Sequence, residues 1–412
     1  MSTAVVSPFR RPEFRNLLAI SITVALGFGM LIPVLPRYAK AFGVTLAVTG
    51  LIQVVFGFTR FSFGLVGGLV VDRFGDRAST MTGLLVVALS SYAAGFSQNF
   101  PQLVAARGFG GAGSALFIAG LQNRILRIIE PEAMGRATGA FRSSFLVGIG
   151  VGPALGGFVA KQFGTSAPFH FYATGLLIAT VIAYVVMAGN RHTVAPQQRR
   201  KPVEALRAAR PLFSDRRYVT ALLATLVGWW TISGPAQWVG PIFAEEELGF
   251  SEEQIGLAVT MLAIGEILIL FIAGRAADRY GRRAVLVPSL AVAAVATAVL
   301  GQIGGAPWAY YPVMMAIGAG VASSSTAAGG LLADSIPGGG SGAAVGVNQM
   351  AGDLGFLVAP ITVGYLADEY SFEVGYIAGA VPAAVVLLAA LRLPRRTTPT
   401  HRDPVPATEV VG

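Results

Sequence analysis

The 412-residue chain is 54% hydrophobic and only 12% charged. A soluble domain carries about 25% charged residues, so a water-facing globular surface is excluded and the chain must be solvated by lipid. It has no cysteine and three scattered histidines, His170, His192 and His401, which leaves no disulfide framework, no thiolate chemistry and no metal-ligand spacing. The net charge of +9 does not mark a nucleic-acid binder, because the excess gathers in one loop. Arg191, Arg199, Arg200, Lys201, Arg207, Arg210, Arg216 and Arg217 stand there against Glu204 and Asp215, a pattern of membrane topology.

Hydropathy predicts twelve spans, each near the ~20 residues that cross a bilayer as a helix. They cover 16–38, 46–71, 78–97, 101–126, 134–160, 168–189, 218–243, 253–276, 284–304, 307–333, 342–367 and 373–392. The first follows Arg10, Arg11 and Arg15 and lacks a small-residue cleavage site, so it reads as a retained helix rather than a removed signal peptide. Alternate loops differ in charge. One set carries Arg73, Arg77, Arg124, Arg127, Arg136, the central loop, Arg275, Arg279, Arg282, Arg283, Arg392, Arg395 and Arg396. The other carries only Arg37, Lys40 and Lys161, with Glu245, Glu246, Glu247, Glu252, Glu253, Asp368, Glu369 and Glu373. The positive-inside rule places both termini and the central loop in the cytoplasm.

A charged signature follows the second span, Gly68-x-x-x-Asp72-Arg73-x-Gly75-Asp76-Arg77. It returns 206 residues later after the eighth, as Gly274-x-x-x-Asp278-Arg279-x-Gly281-Arg282-Arg283. A repeat of this length means two equivalent halves. The predicted fold is an all-α integral membrane protein with twelve transmembrane helices in two pseudo-symmetric six-helix bundles. Residues 1–190 form the first bundle, 191–217 a cytoplasmic basic linker, 218–393 the second bundle and 394–412 a polar tail expected to be disordered.

Within the spans, charged residues are rare and informative, because a charge in the bilayer is expensive and functional by default. The second span carries Arg60 and the eighth Glu266, each twelve residues before the aspartate of its own repeat. That is about 18 Å along a helix, near the midplane. These symmetry mates are expected to face the central cavity and to interact directly or through substrate and water, with Glu266 as proton acceptor. The fourth span holds Leu103-x-x-x-Arg107-x-x-Gly110-Gly111-x-Gly113. Its Gly108, Gly110 and Gly113 formally match a dinucleotide pattern, but no strand precedes them, so that reading is rejected. The fifth span holds Arg142 and Gly148-x-x-x-Gly152-Pro153-x-x-Gly156-Gly157, in which proline bends the helix and glycines allow close helix contact. The eleventh carries Asn348, Gln349 and Asp353, with Asp353 the competing proton site and Arg142 its candidate partner. Phe58, Phe61, Trp229 and Trp230, with Gln237, Asn348 and Gln349, are the substrate-cavity candidates.

Two six-helix halves, the duplicated loop and the central basic linker resemble the major facilitator superfamily over essentially the whole chain. The second copy of the loop matches in full; in the first, Asp76 stands where the family usually has a basic residue. The resemblance implies that Gly68, Asp72, Arg73, Gly75, Arg77, Gly274, Asp278, Arg279, Gly281, Arg282 and Arg283 form a conformational latch between facing states. It links Arg107 to proton transfer. Gly148, Gly152, Pro153, Gly156 and Gly157 match the motif that marks antiporters, especially drug:proton exporters. The first span shares the family's Pro33-x-x-Pro36 but lacks the acid that some exporters use to attract cations.

The expected function is proton-coupled efflux of small apolar or amphipathic organic compounds by alternating access. The alternatives are proton-linked uptake of a metabolite and a transport-inactive membrane sensor. No enzyme is expected: there is no H-E-x-x-H, and Asp353 lacks the second glycine of an intramembrane aspartyl protease motif. No metal and no cofactor is expected, the proton gradient being the driving force. The expected partners are a small-molecule substrate, protons and the lipid bilayer, with no nucleic acid, and the chain is expected to be a monomer in a bacterial inner membrane.

Overall fold

The computed structural model describes residues 8–129, 134–187, 210–335 and 342–394; the linker residues 191–209 and the tail 395–412 lie outside the described residues. Twelve helices are long and apolar enough to cross a membrane, and no strand occurs among the described residues. The first half contains α1 (Pro12–Leu31), α2 (51–74), α3 (76–95), α4 (Phe100–Ile128), α5 (Met134–Phe163) and α6 (Ala167–Val186). The second contains α7 (Arg216–Glu246), α8 (Glu252–Tyr280), α9 (Arg282–Leu300), α10 (Tyr310–Ser335), α11 (Gly342–Glu369) and α12 (Phe372–Ala390). We call the end where α1 begins and α12 stops the near end, and the opposite one the far end.

Local sequence sets the turns. Asn99, Ser251 and Ser371 cap α4, α8 and α12 by accepting a backbone N–H with their side chains. Two predicted spans are not continuous. The first breaks at residues 32–34, around Pro33, and resumes as the short helix Leu35–Lys40. The seventh widens into a π-helical stretch at Ile232–Val239, where Pro235 lacks an N–H for the ordinary ladder.

The repeat shows in the packing. α1 lies on α5 and α6 as α7 lies on α11 and α12, and α4 lies on α2 and α3 as α10 lies on α8 and α9. Lipid supplies no hydrophobic force between helices, so close approach of small residues must hold them. A Cβ at Gly111 would sit 2.2 Å from the Phe56 carbonyl oxygen, and one at Gly265 2.0 Å from that of Met315.

The repeat also shows in the backbone. Gly75 has φ 84° and ψ 163°, and its mate Gly281 has φ 92° and ψ 155°. Only glycine adopts this region readily, so these two residues are required by conformation. Nothing lies within 4 Å of a Cβ built on Gly75, so its backbone angles rather than a close helix approach call for glycine there.

The latch side chains Gly274, Asp278, Arg279, Arg282 and Arg283 are described, as are Asp76 and Arg77; the side-chain positions of Gly68, Asp72 and Arg73 lie outside the described residues. Asp76 is buried and pairs with Arg127 at 2.8 Å, with Arg124 3.6 Å away. In the second half Arg282 takes that place, bonding Asp278 at 2.6 Å and reaching Asp334 at 3.5 Å. The first-half departure is thus a charge reversal: an acid reaching bases on α4 replaces a base reaching an acid on α10. Arg77 donates to the Tyr184 carbonyl at 2.8 Å, and Arg283 to that of Leu393 at 2.6 Å.

The halves meet along two antiparallel seams, α5 on α8 and α2 on α11. Gly157 faces the Glu252 carbonyl and Gly256 that of Pro153, while the Ala154 N–H beside the proline donates to Thr260 Oγ1 at 3.1 Å. Gly148, Gly152 and Gly156 instead face α1, at Ala25, Leu26, Gly29 and Met30. The α5 motif therefore holds α1 with one stripe and the opposite half with its last turn.

A cysteine pair tests whether the far end moves. A Cβ on Gly50 would lie 2.9 Å from Ile361 Cγ1, and the chain has no native cysteine. Gly50→Cys with Ile361→Cys is expected to crosslink on oxidation, stop transport, and recover on reduction. Undiminished transport by the crosslinked protein would contradict a moving far end.

Candidate functional site

The hydrogen bonds and ion pairs that join the halves cluster at the far end. Arg37, on the short helix after α1, forks onto Glu245 and reaches Glu252 at 3.4 Å. Lys40 pairs with Glu246 and Lys161 with Glu253. The Asp368 carboxylate accepts from the Leu46 and Ala47 N–H groups at 3.1 and 2.7 Å, and Trp238 Nε1 donates to Thr49 Oγ1 at 2.9 Å. All three basic residues of the acidic loop set are used in this clamp.

The pairs differ in strength. Lys161 and Glu253 are 46% and 51% exposed in their side chains, and such pairs contribute about 0.2–1 kcal/mol. The Arg37 side chain is 7% exposed, and a hydrogen bond to a charged group contributes about 1.5–3 kcal/mol. Burial alone would lower the pKa of Arg37, but bonding to Glu245 and the charges of Glu245 and Glu252 outweigh it and hold the guanidinium above its ordinary value. Arg37 contributes its share below its ordinary value and loses it only as pH rises through the raised one, so the guanidinium does not titrate out of the clamp in the physiological range.

Beneath the clamp lies a cleft shared by both halves. Phe28, Gln53 and Arg107 line it from the first half; Gln237, Trp238 and Phe356 line it from the second. The glycine run of α4 positions Arg107: Gly111 draws in the backbone at Phe56, and the guanidinium lies over the Phe56 ring, 4.9 Å from its centroid. The π-helical stretch of α7 carries Gln237 and Trp238 into the same space.

Arg60 does not pair with Glu266, contrary to the sequence expectation. The register that sets Gly50 against Ile361 and Gly57 against Leu357 brings Arg60 level with Asp353, and Asp353 is the charged group that acts on it. Asp353 also accepts from Gln349 Nε2 at 3.3 Å. The side chain of Arg142, the other proposed partner of Asp353, lies outside the described residues.

Glu266 sits between two packed faces of α8. Leu262 and Gly265 press on α10, Ala263 presses on α5 at Gly150, and a 100° step per residue puts Glu266 between those faces. It is half-buried and has no hydrogen-bond or ion-pair partner among the described residues. The α5 residues that correspond to Asp353 by the repeat are Leu146 and Val147, so this level of the seam has no cation on α5.

The aromatic candidates scatter. Phe58 and Phe61 are exposed and do not line the cleft. Trp229 packs edge-on against Phe356, and Trp230 donates to the Gly379 carbonyl of α12 at 3.0 Å. Asn348 accepts from Thr225 at 2.9 Å. Gln237 alone of the seven cavity candidates lines the cleft. Gln53, Phe28 and Phe356 were missed because an uncharged residue in an apolar span carries no mark of its facing direction.

The family model of the Major Facilitator Superfamily matches residues 17–246 and 236–410. Among curated proteins, the quinolone resistance protein NorA of Staphylococcus aureus strain MRSA252 is 23% identical over 92% of this chain and 96% of its own length. In strain Mu50 the NorA match is 24% identical over 58% of this chain and spans only 60% of the relative. Multidrug resistance protein 2 of Bacillus subtilis strain 168 is 24% identical, covering 66% of this chain and 68% of the relative. Among solved structures, a bacterial homolog of the human lysosomal transporter Spinster in an inward-facing conformation matches with TM-score 0.76 at 14% identity, covering 96% and 100% of the two chains. The nucleoside transporter NupG matches with TM-score 0.73 at 14% identity, covering 92% and 98%.

The unequal far-end pairs make a graded prediction. With a Gln53→Cys reporter, Arg37→Gln is expected to raise labelling by an impermeant maleimide from the far end about tenfold, equivalent to ~1.4 kcal/mol. Lys161→Gln is expected to change it less than about twofold. Equal effects would refute the ranking.

Proposed function

The chain belongs to the Major Facilitator Superfamily and is a secondary transporter rather than an enzyme; from that premise we propose that it exports small amphipathic organic compounds in exchange for protons. Both termini lie in the cytoplasm in this reading, so the clamp closes the outer end and the cavity opens inward. The membrane is a bacterial inner membrane, and the proton gradient is the only energy source required.

The observation that carries the reading is Glu266. A carboxylate with no cation partner among the described residues, deep in the spans and at the seam where α8 meets α5 and α10, can take up a proton without breaking a salt bridge. Asp353 accepts a hydrogen bond from Gln349 and stands level with Arg60 on the facing helix, so its protonation would change the surroundings of a neighbouring cation. This favours Glu266 over Asp353 as proton carrier. The direction is supported by the complete α5 motif and by relatives that are resistance proteins by name.

Reconstitution in proteoliposomes with an internal pH-sensitive dye tests the assignment. Amphipathic compounds added under an imposed pH gradient are expected to trigger proton movement in the wild type. Glu266→Gln is expected to reduce it at least tenfold while still binding compound. Proton movement retained in Glu266→Gln and lost in a folded Asp353→Asn would move the carrier to α11.

A further inference from the structure

Arg107 has an electrostatic requirement that the surrounding protein does not meet. The residue is 2% exposed, and its Nε and Nη1 are buried with no hydrogen-bond partner. No carboxylate forms an ion pair with it among the described residues. The Phe56 ring covers one face of the guanidinium, which leaves its N–H edge for another group. A buried cation is stable only when a partner supplies both charge and hydrogen bonds.

The walls around that edge narrow the class of partner. Gln53 and Gln237 offer carboxamides, which can hydrogen-bond a ligand but cannot neutralise the arginine. Phe28, Trp238 and Phe356 offer flat apolar surface. No acid lines the cleft, so a cationic head group would meet only repulsion. The cleft holds about 30 Å³, room for about two waters, which suits a carboxylate head rather than a whole drug-sized molecule.

We infer that this cleft binds the carboxylate of a planar organic acid, the Arg107 guanidinium forking onto the head group within the cleft and the ring system extending out of it past its apolar rim. This rests on the transporter reading above and names its substrate class. The head group would touch both halves at once, directly below the bond between Trp238 and Thr49, so the bound anion reinforces the closed far end.

Three probes of one shape separate the possibilities: 2-naphthoate, 2-naphthamide and 2-naphthylmethylammonium. Binding is measured by equilibrium dialysis on the full-length protein in lipid nanodiscs, with no gradient present. The wild type is expected to bind the acid at least tenfold more tightly than the amide or the ammonium. Arg107→Gln is expected to bring acid and amide within about twofold while its melting temperature stays at or above wild type, since an unpaired buried charge is removed. Arg107→Lys, which keeps the charge but loses the fork, is expected to retain part of the preference. Should Arg107→Gln fail to fold, the wild type and Arg107→Lys against the three probes still decide.

Equal binding of all three by the wild type, or no binding of the acid at millimolar concentration, overturns the inference. So does an acid preference that survives intact in Arg107→Gln. Because the assay involves no proton flux, its failure leaves the Glu266 test standing, and failure of that test leaves this one standing.

Discussion

The buried fork of Arg37 on Glu245 and Glu252 is the constraint on which the arrangement of the two halves depends. A seam between two apolar bundles in lipid has no hydrophobic force to hold it. At the far end the seam is held by charge, most firmly through the buried Arg37 side chain. With that end drawn together, glycine contacts at Gly157 and Gly256 and at Gly50 become possible.

Three embedded charges show three answers to one desolvation problem. Arg60 shares its burden with Asp353 across a seam. Arg107 rests on an aromatic face and keeps an edge free. Glu266 lies where two helices part. Arg60 is exposed and stands level with Asp353 across the seam. Arg107 and Glu266 form no ion pair among the described residues, and that is the property a transport cycle needs of groups that change state.

Much of the architecture was legible in the sequence, because long apolar spans and a 206-residue repeat are global signals. The latch glycines Gly75 and Gly281 were legible as positions but not as reasons: their role is a backbone conformation, visible only in φ and ψ. The partner of Arg60 was misread because symmetry was mistaken for contact. Symmetry relates α2 to α8, whereas the seams join α2 to α11 and α5 to α8, so mates such as Arg60 and Glu266 belong to different seams. The far-end charges were visible as a set, three bases among many acids. Their pairing needed the fold, since Arg37 and Glu245 lie 208 residues apart. Asp76 looked like a defect in a motif and became intelligible only with Arg124 and Arg127 beside it.

The far-end charges are also sorted by half. Arg37, Lys40 and Lys161 belong to the first, while Glu245, Glu246, Glu252 and Glu253 belong to the second. Two first halves brought face to face would oppose cation to cation, and two second halves acid to acid. The duplicated bundles are alike enough to share one fold, yet each is electrostatically unfit to pair with its own kind. Correct assembly of a newly inserted chain is thus written into a few surface charges: each half recognises the other and rejects a copy of itself.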